Sequence, residues 1–211
     1  VLTAGAGLVD AVSYLALGHV FVANMTGNVV FLGFAIAGAS GVSTLASLAA
    51  IAAFLAGATG GGRLGARFGE ERGQVLAASM GVQLALLVVA AIVAAVAGVH
   101  GSASRYPLIV VLAAAMGIQT ATARRLGVRD LPTTVLTQTL AGLGSELRLG
   151  GIRSDPLVRR RSLAVASMLL GALVGALLVL KVKSWTALAA AVLLMAGVAA
   201  AAPNVTPEPT G

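Results

Sequence analysis

A small set of polar side chains sits in an otherwise apolar chain: Asp10, Asn24, Thr26, Asn28, Gln119, Thr133, Thr137 and Thr139. Inside a hydrocarbon layer such groups could do one kind of work. Amides, hydroxyls and a carboxylate could replace the water shell of a small solute or ion. Asp10 could also carry a proton or cation, or bind substrate directly. Ionised at the bilayer centre it costs at least ~2.5–3.5 kcal/mol on insertion scales. The structural alternative is a buried partner for a hydroxyl, an amide or an arginine such as Arg124 or Arg125. If Asp10 couples protons, Asp10→Asn is expected to remove pH dependence; if it is structural, Asp10→Asn is expected to weaken the fold.

The polar clusters recur. Asn24-Met25-Thr26-Gly27-Asn28 is followed much later by Thr133, Thr134, Thr137, Gln138 and Thr139. Gly7 pairs with Gly117, Thr26 with Thr137 and Gly57 with Gly171, each pair about 110 residues apart. Asp10 matches Thr120, so the charge lies in one half only. Two hydrophobic halves with polar groups at matching places imply a membrane protein built from inverted-topology repeats, with a site where they meet. The expected repeats are residues 1–99 and 106–202 of one membrane domain, 1–202; the Pro-rich tail 203–211 reads as disordered.

Composition agrees with that class. The chain of 211 residues is 58% hydrophobic and 10% charged, with a mean hydropathy of +0.99. Soluble domains carry about 25% charged residues, so lipid must be the solvent for most of this surface. The 27 glycines and many alanines suit close helix packing. Continuously apolar runs, rather than alternating ones, argue against a β-barrel. The net charge of +7 falls between apolar runs and reads as topology signal, not as a nucleic-acid surface. With no cysteine, thiol catalysis and thiolate metal sites are excluded. Two histidines without an acidic cluster leave no expected metal or other cofactor.

Six runs are long enough to span about 30 Å of hydrocarbon as helices: Val1–Val22, Thr44–Gly62, Val75–Val99, Tyr106–Ala123, Ser162–Leu180 and Ser184–Ala202. Two shorter apolar stretches, Val29–Ala39 and Thr133–Ser145, would reach little more than half way. If both are re-entrant half-helices, Arg63, Arg67, Arg72 and the arginines from Arg124 to Arg161 share one face, leaving only Arg105, Lys181 and Lys183 opposite. That is the positive-inside pattern of a cytoplasmic face, with both termini cytoplasmic. Eight full crossings, the alternative, split the charge almost evenly. The expected fold is therefore all-α integral membrane: six transmembrane helices plus two short re-entrant half-helices. Both half-helices open on hydroxyl or amide residues suited to capping free N–H groups. No basic n-region precedes the first run, and Asp10 interrupts it, so it does not read as a cleavable signal. The chain begins at Val1 rather than Met, so a short preceding piece is expected.

Gly57–Gly61 and Gly171–Gly175 read as helix-packing pairs. Gln83 and Gln119 each follow Met-Gly and a β-branched residue; they could line a cavity or bond across helices. Arg159-Arg160-Arg161 reads as a topology anchor. No nucleotide loop or zinc motif occurs, and the single intramembrane acid leaves no paired-aspartate chemistry. The chain is not expected to be an enzyme.

The stretch from Gly7 to Gly33, through Asp10, Ser13, Gly18, His19, Asn24, Thr26 and Asn28, resembles the N-terminal signature of the YoaK family. Met116-Gly117-Ile118-Gln119, Arg124-Arg125-Leu126-Gly127 and Thr133 to Thr137 resemble its second signature, which departs at Gln138 where glycine is expected from Gly27. The resemblance covers nearly the whole chain. It implies a bacterial multi-pass protein of the inner membrane with no established activity. From the residues themselves, the expected function is a small-solute transporter or channel, its site between the two half-helix starts. A non-transporting assembly or regulatory protein is the alternative. The expected partners are the lipid bilayer and a small solute or ion, not nucleic acid; a homo-oligomer stays open.

Overall fold

The computed structural model describes residues 2–68, 72–99, 101–127, 144 and 156–201. Among them the chain forms seven helices: α1 Leu2–Ala16, α2 Met25–Ile36, α3 Thr44–Arg67, α4 Arg72–Ala97, α5 Ser102–Arg125, α6 Pro156–Lys181 and α7 Ser184–Ala201. Four of these, α3 to α6, are long and apolar enough to cross a membrane; α1, α2 and α7 are shorter apolar helices. Thr133, Thr137, Thr139 and the stretch Thr133–Ser145 lie outside the described residues, apart from Gly144, as does the tail.

The first expected span, Val1–Val22, is corrected: its helix stops at Ala16. Gly18 and His19 take positive φ angles of 93° and 56°, which ends the helix and turns the chain. The His19 N–H closes on the Tyr14 carbonyl at 3.1 Å. At the next starts, Asn24 accepts from the Gly27 N–H at 3.3 Å and Ser43 from the Ala46 N–H at 3.2 Å. These side chains satisfy donors that a new helix leaves free.

Two helix crossings organise the bundle. In the first, Gly171 of α6 lies against the backbone of Ala4, Gly175 against Leu8 and Ala11, and Gly7 against Met168 and Ala172. In the second, Gly57 of α3 lies against Ala114, Gly61 against Ile118 and Ala121, and Gly117 against Phe54 and Ala58. The second set repeats the first partner for partner, with α5 standing for α1 and α3 for α6. At Gly7, Gly57, Gly117 and Gly171 a side chain would meet neighbouring backbone rather than a yielding side chain, so only glycine admits these approaches.

Contact order gives the helix directions. Positions along α1 and α6 rise together, so they run in the same sense, as do α3 and α5. By contrast, Gly18 at the end of α1 packs on Arg105 near the start of α5. Leu2 shares a cavity wall with Thr122 and Leu126 at the end of α5. So α1 and α5 are antiparallel, and α5 ends at the same end of the bundle where α1 and α6 begin.

Leu8, Val9 and Val12, Ala50, Leu87, Leu108, Ile109 and Leu112, Leu188 and Ala191 form a buried apolar core. The outward faces are apolar too, as at Phe34, Ile92, Leu169 and Leu180. A surface like that is stable only against hydrocarbon.

Candidate functional site

Two groups of buried polar side chains emerge, and they differ in what is left for a ligand. The first surrounds the connection between α1 and α2. Asp10 is buried on α1, and its Oδ1 accepts from the Val22 N–H at 2.9 Å and the Ala23 N–H at 2.7 Å. The left-handed turn at Gly18 and His19 is what returns the chain to the level of Asp10. Asn28, fully buried, then pairs with Phe21: Oδ1 accepts from its N–H at 2.9 Å and Nδ2 donates to its carbonyl at 2.6 Å. The irregular limb 21–24 therefore descends to Asp10 and lies against the first turn of α2, which leads away again. At 12 residues, α2 is about 18 Å long, against about 30 Å for a hydrocarbon core.

Irregular backbone at membrane depth is tolerated only when its N–H and C=O groups are satisfied. Asp10, Asn24 and Asn28 do that here, which is the structural work the sequence allows them. Neither Arg124 nor Arg125 is needed for it. Thr26 is exposed on the first turn of α2. Tyr14, His19, Phe21, Phe31 and Phe34 form an aromatic cluster at this connection, with paired ring centroids 5.1 to 6.4 Å apart; Phe21 stacks on both Tyr14 and Phe31, and His19 meets Tyr14 edge-on. Asp10 Oδ2 is buried without a hydrogen-bond partner.

The second group lies between α4 and α5. Gln83 Nε2 donates to Gln119 Oε1 across the interface, both residues buried. One turn nearer the start of α4 is Ser79, and one turn nearer the end of α5 is Thr122. Gly65 near the end of α3 packs on Arg125 at the end of α5 and α4 begins at Arg72, soon after α3 ends at Arg67, so α4 and α5 are antiparallel and the two hydroxyls share a level below the amide pair. All four line a cavity of about 50 Å³ that Leu2 and Leu126 also border. Ser79 Oγ and Thr122 Oγ1 are both buried with no hydrogen-bond partner. Each such orphan costs about 1–3 kcal/mol unless something pairs with it. Away from the hydroxyls, past the amide pair, Leu87 and Leu112 belong to the closed apolar core.

Of the residues expected to form one site, the structure brings Asp10, Asn24 and Asn28 together around the 21–24 limb. It sets Gln119 apart, on Gln83. Sequence reasoning passed over Ser79 and Thr122 as site residues. The available signal was spacing: Ser79 precedes Gln83 by one helical turn and Thr122 follows Gln119 by one, so each shares its glutamine's face.

A family model described as Protein of unknown function (DUF1275) matches residues 1–201. Among curated proteins the chain is similar to "UPF0700 transmembrane protein YoaK" of Bacillus subtilis (strain 168). The two are 37% identical over 139 residues, which is 65% of this chain and 60% of that protein. The chain thus spans less than two thirds of that relative's length. No solved structure matches.

Proposed function

The chain belongs to the family described as Protein of unknown function (DUF1275) and is an integral membrane protein; within that frame we propose that it moves a small solute across the bilayer, using two inverted-topology repeats. One observation carries the reading. The α1–α6 and α3–α5 crossings correspond residue for residue, while the equivalent helices α1 and α5 run antiparallel. A two-fold axis along the membrane normal would leave equivalent helices parallel; an axis in the membrane plane reverses them. Inverted repeats of this kind support alternating access, because exchanging the conformations of the two halves opens the opposite side.

The polar interior fits that reading. A chain kept only for assembly has no need of unpaired hydroxyls in its bundle, whereas a transport pathway requires polar groups away from lipid. The α2 half-helix, held at the depth of Asp10, supplies the broken element that such pathways use. We place the protein in the bacterial cytoplasmic (inner) membrane, which the likeness to a transmembrane protein of Bacillus subtilis supports, with both termini cytoplasmic, which the arginine distribution supports.

Flux into proteoliposomes tests the proposal. Purified protein is reconstituted and challenged with a panel of labelled solutes, neutral, anionic and cationic. At least one should enter well above protein-free vesicles and show counterflow. If correctly folded protein passes none of them, the transport reading falls, leaving an assembly or regulatory role.

A further inference from the structure

We propose that the bundle works as two rigid trios of helices, α1–α6–α7 and α5–α3–α4, that rock against one another, with the packing of Arg105 on Gly18 closing one end. Each trio draws helices from both sequence halves. That the rocking carries a solute rests on the transport reading above; the division into trios does not.

The division follows from which helices pack together. Helix α1 packs on α6 and α7, and α6 on α7. In the same way α5 packs on α3 and α4, and α3 on α4. The repeat equivalence sends α1 to α5 and α6 to α3, and α7 closes its half as α4 closes the first. It therefore converts one trio into the other. Among the described residues two contacts join the trios directly, α4 with α7 and a slighter one of α1 with α5. Each maps onto itself under the same exchange, so each persists when the two halves swap conformations.

The contacts differ in how they are locked. Within the trios, Gly7 and Gly171 meet facing backbone across α1–α6, as Gly57 and Gly117 do across α3–α5. Helices keyed together in this way cannot slide without a clash, because close-packed interiors yield little. Between the trios, the close glycine approach is Gly18, and it meets the Arg105 guanidinium. That neighbour is the far end of a flexible side chain, which can swing aside. Arg105 Nε is buried without a hydrogen-bond partner, so withdrawal gives up no bond at that atom. Gly18 follows α1 and Arg105 opens α5, at the end of the bundle where α3 starts and α6 finishes. Opening there parts the trios and leaves each intact.

Helix α2 straddles the boundary. It packs on α3, yet the limb before it is bonded to Asp10 of α1 through the Val22 and Ala23 N–H groups. Rocking α1 away from α3 must either slide α2 along α3 or release the limb from Asp10.

The absence of native cysteine makes the test direct. Cysteine pairs at exposed positions are spin-labelled in the full chain in nanodiscs, and their separations are read by double electron–electron resonance. Leu169→Cys with Leu193→Cys reports within one trio, and Leu55→Cys with Val96→Cys within the other. Leu45→Cys with Leu180→Cys spans the trios at the Gly18 end, and Leu163→Cys with Ala66→Cys spans them at the opposite end; all these residues are exposed. Each within-trio pair should give one narrow distance. The spanning pairs should give distributions about twofold broader, or two-peaked, as shifts between packed bodies do. Arg105→Ala should lengthen the Leu45–Leu180 separation by several Å and leave the within-trio distances unchanged. Spanning distances as narrow as the within-trio ones in both backgrounds, or within-trio distances that change as much, overturn the proposal. Should Arg105→Ala misfold, the widths in the protein that retains Arg105 decide alone. Two spanning states without flux of any solute keep the trios and reject transport. Flux with every distance fixed does the reverse.

Discussion

Asn28 and Phe21 exchange two hydrogen bonds, the Asn28 side chain taking the Phe21 N–H at 2.9 Å and giving to its carbonyl at 2.6 Å. The amide thus serves as a partner strand one residue long. Asn28→Ala leaves two part-buried backbone groups of Phe21 unpaired, each at up to about 1–3 kcal/mol. It should lower the unfolding midpoint in detergent by several degrees. Thr26→Ala, two residues away but exposed, should leave the midpoint unchanged. Equal effects would mean that the limb is not held by Asn28.

Asp10 is tested by comparing two substitutions. Only Oδ1 holds the Val22 and Ala23 N–H groups, and an amide oxygen accepts from them as well. Asp10→Asn should therefore fold close to normally, whereas Asp10→Ala should lose about 2–4 kcal/mol of stability. This geometry removes the sequence-based expectation that a structural Asp10 must make Asp10→Asn destabilising. It also makes Asp10→Asn a clean probe of coupling. If Oδ2 carries a transported proton, flux in that variant becomes independent of pH while expression and melting stay normal. Pronounced destabilisation by Asp10→Asn would show that the carboxylate charge itself holds the limb.

The glycine crossings should respond in matched pairs. Gly171→Val in α6 and Gly57→Val in α3 both force a side chain into facing backbone. Overpacking of this kind costs about 1–3 kcal/mol or more. Both variants should lose folded yield to a similar degree, as should Gly7→Val and Gly117→Val. Gly60→Val, where a Cβ would meet open space, should express normally. A large difference between Gly57→Val and Gly171→Val, seen by size-exclusion chromatography, would mean that the two crossings are not equivalent.

These comparisons also show what could be read from the sequence. Gly7, Gly57, Gly117 and Gly171 were legible because close packing depends on a local absence of side chain, which no distant residue alters. The short α2 was legible from the length of its apolar run. The partners of Asp10 were not. They are backbone groups reached through a left-handed turn, and the His19 contribution to that turn leaves no pattern in residue type. The same turn explains why the first helix ends at Ala16 although the apolar run continues to Val22. The Gln83–Gln119 contact was one of two alternatives until antiparallel packing of α4 and α5 set the two amides side by side.

Topology gives the last prediction. Gly65 of α3 packs on the Arg125 side chain, so the arginine-bearing ends of α3 and α5 coincide. Because α1 and α6 run in the same sense, and Leu2 lies beside Leu126, α6 also begins at that end. Reporter fusions after Gly69, Gly127 and Gly151 should therefore all report cytoplasmic, and those after Ser40 and Ser102 periplasmic. The positive-inside rule favours the same assignment, since it gathers Arg63, Arg67, Arg124, Arg125 and Arg159 on one face. The decisive comparison is Gly127 with Gly151. A crossing by Thr133–Ser145 would place them on opposite faces, and that result would remove the expected second half-helix. It would also break the proposed equivalence of the two halves if α2 is re-entrant, because the second half would then contain a crossing that the first does not make.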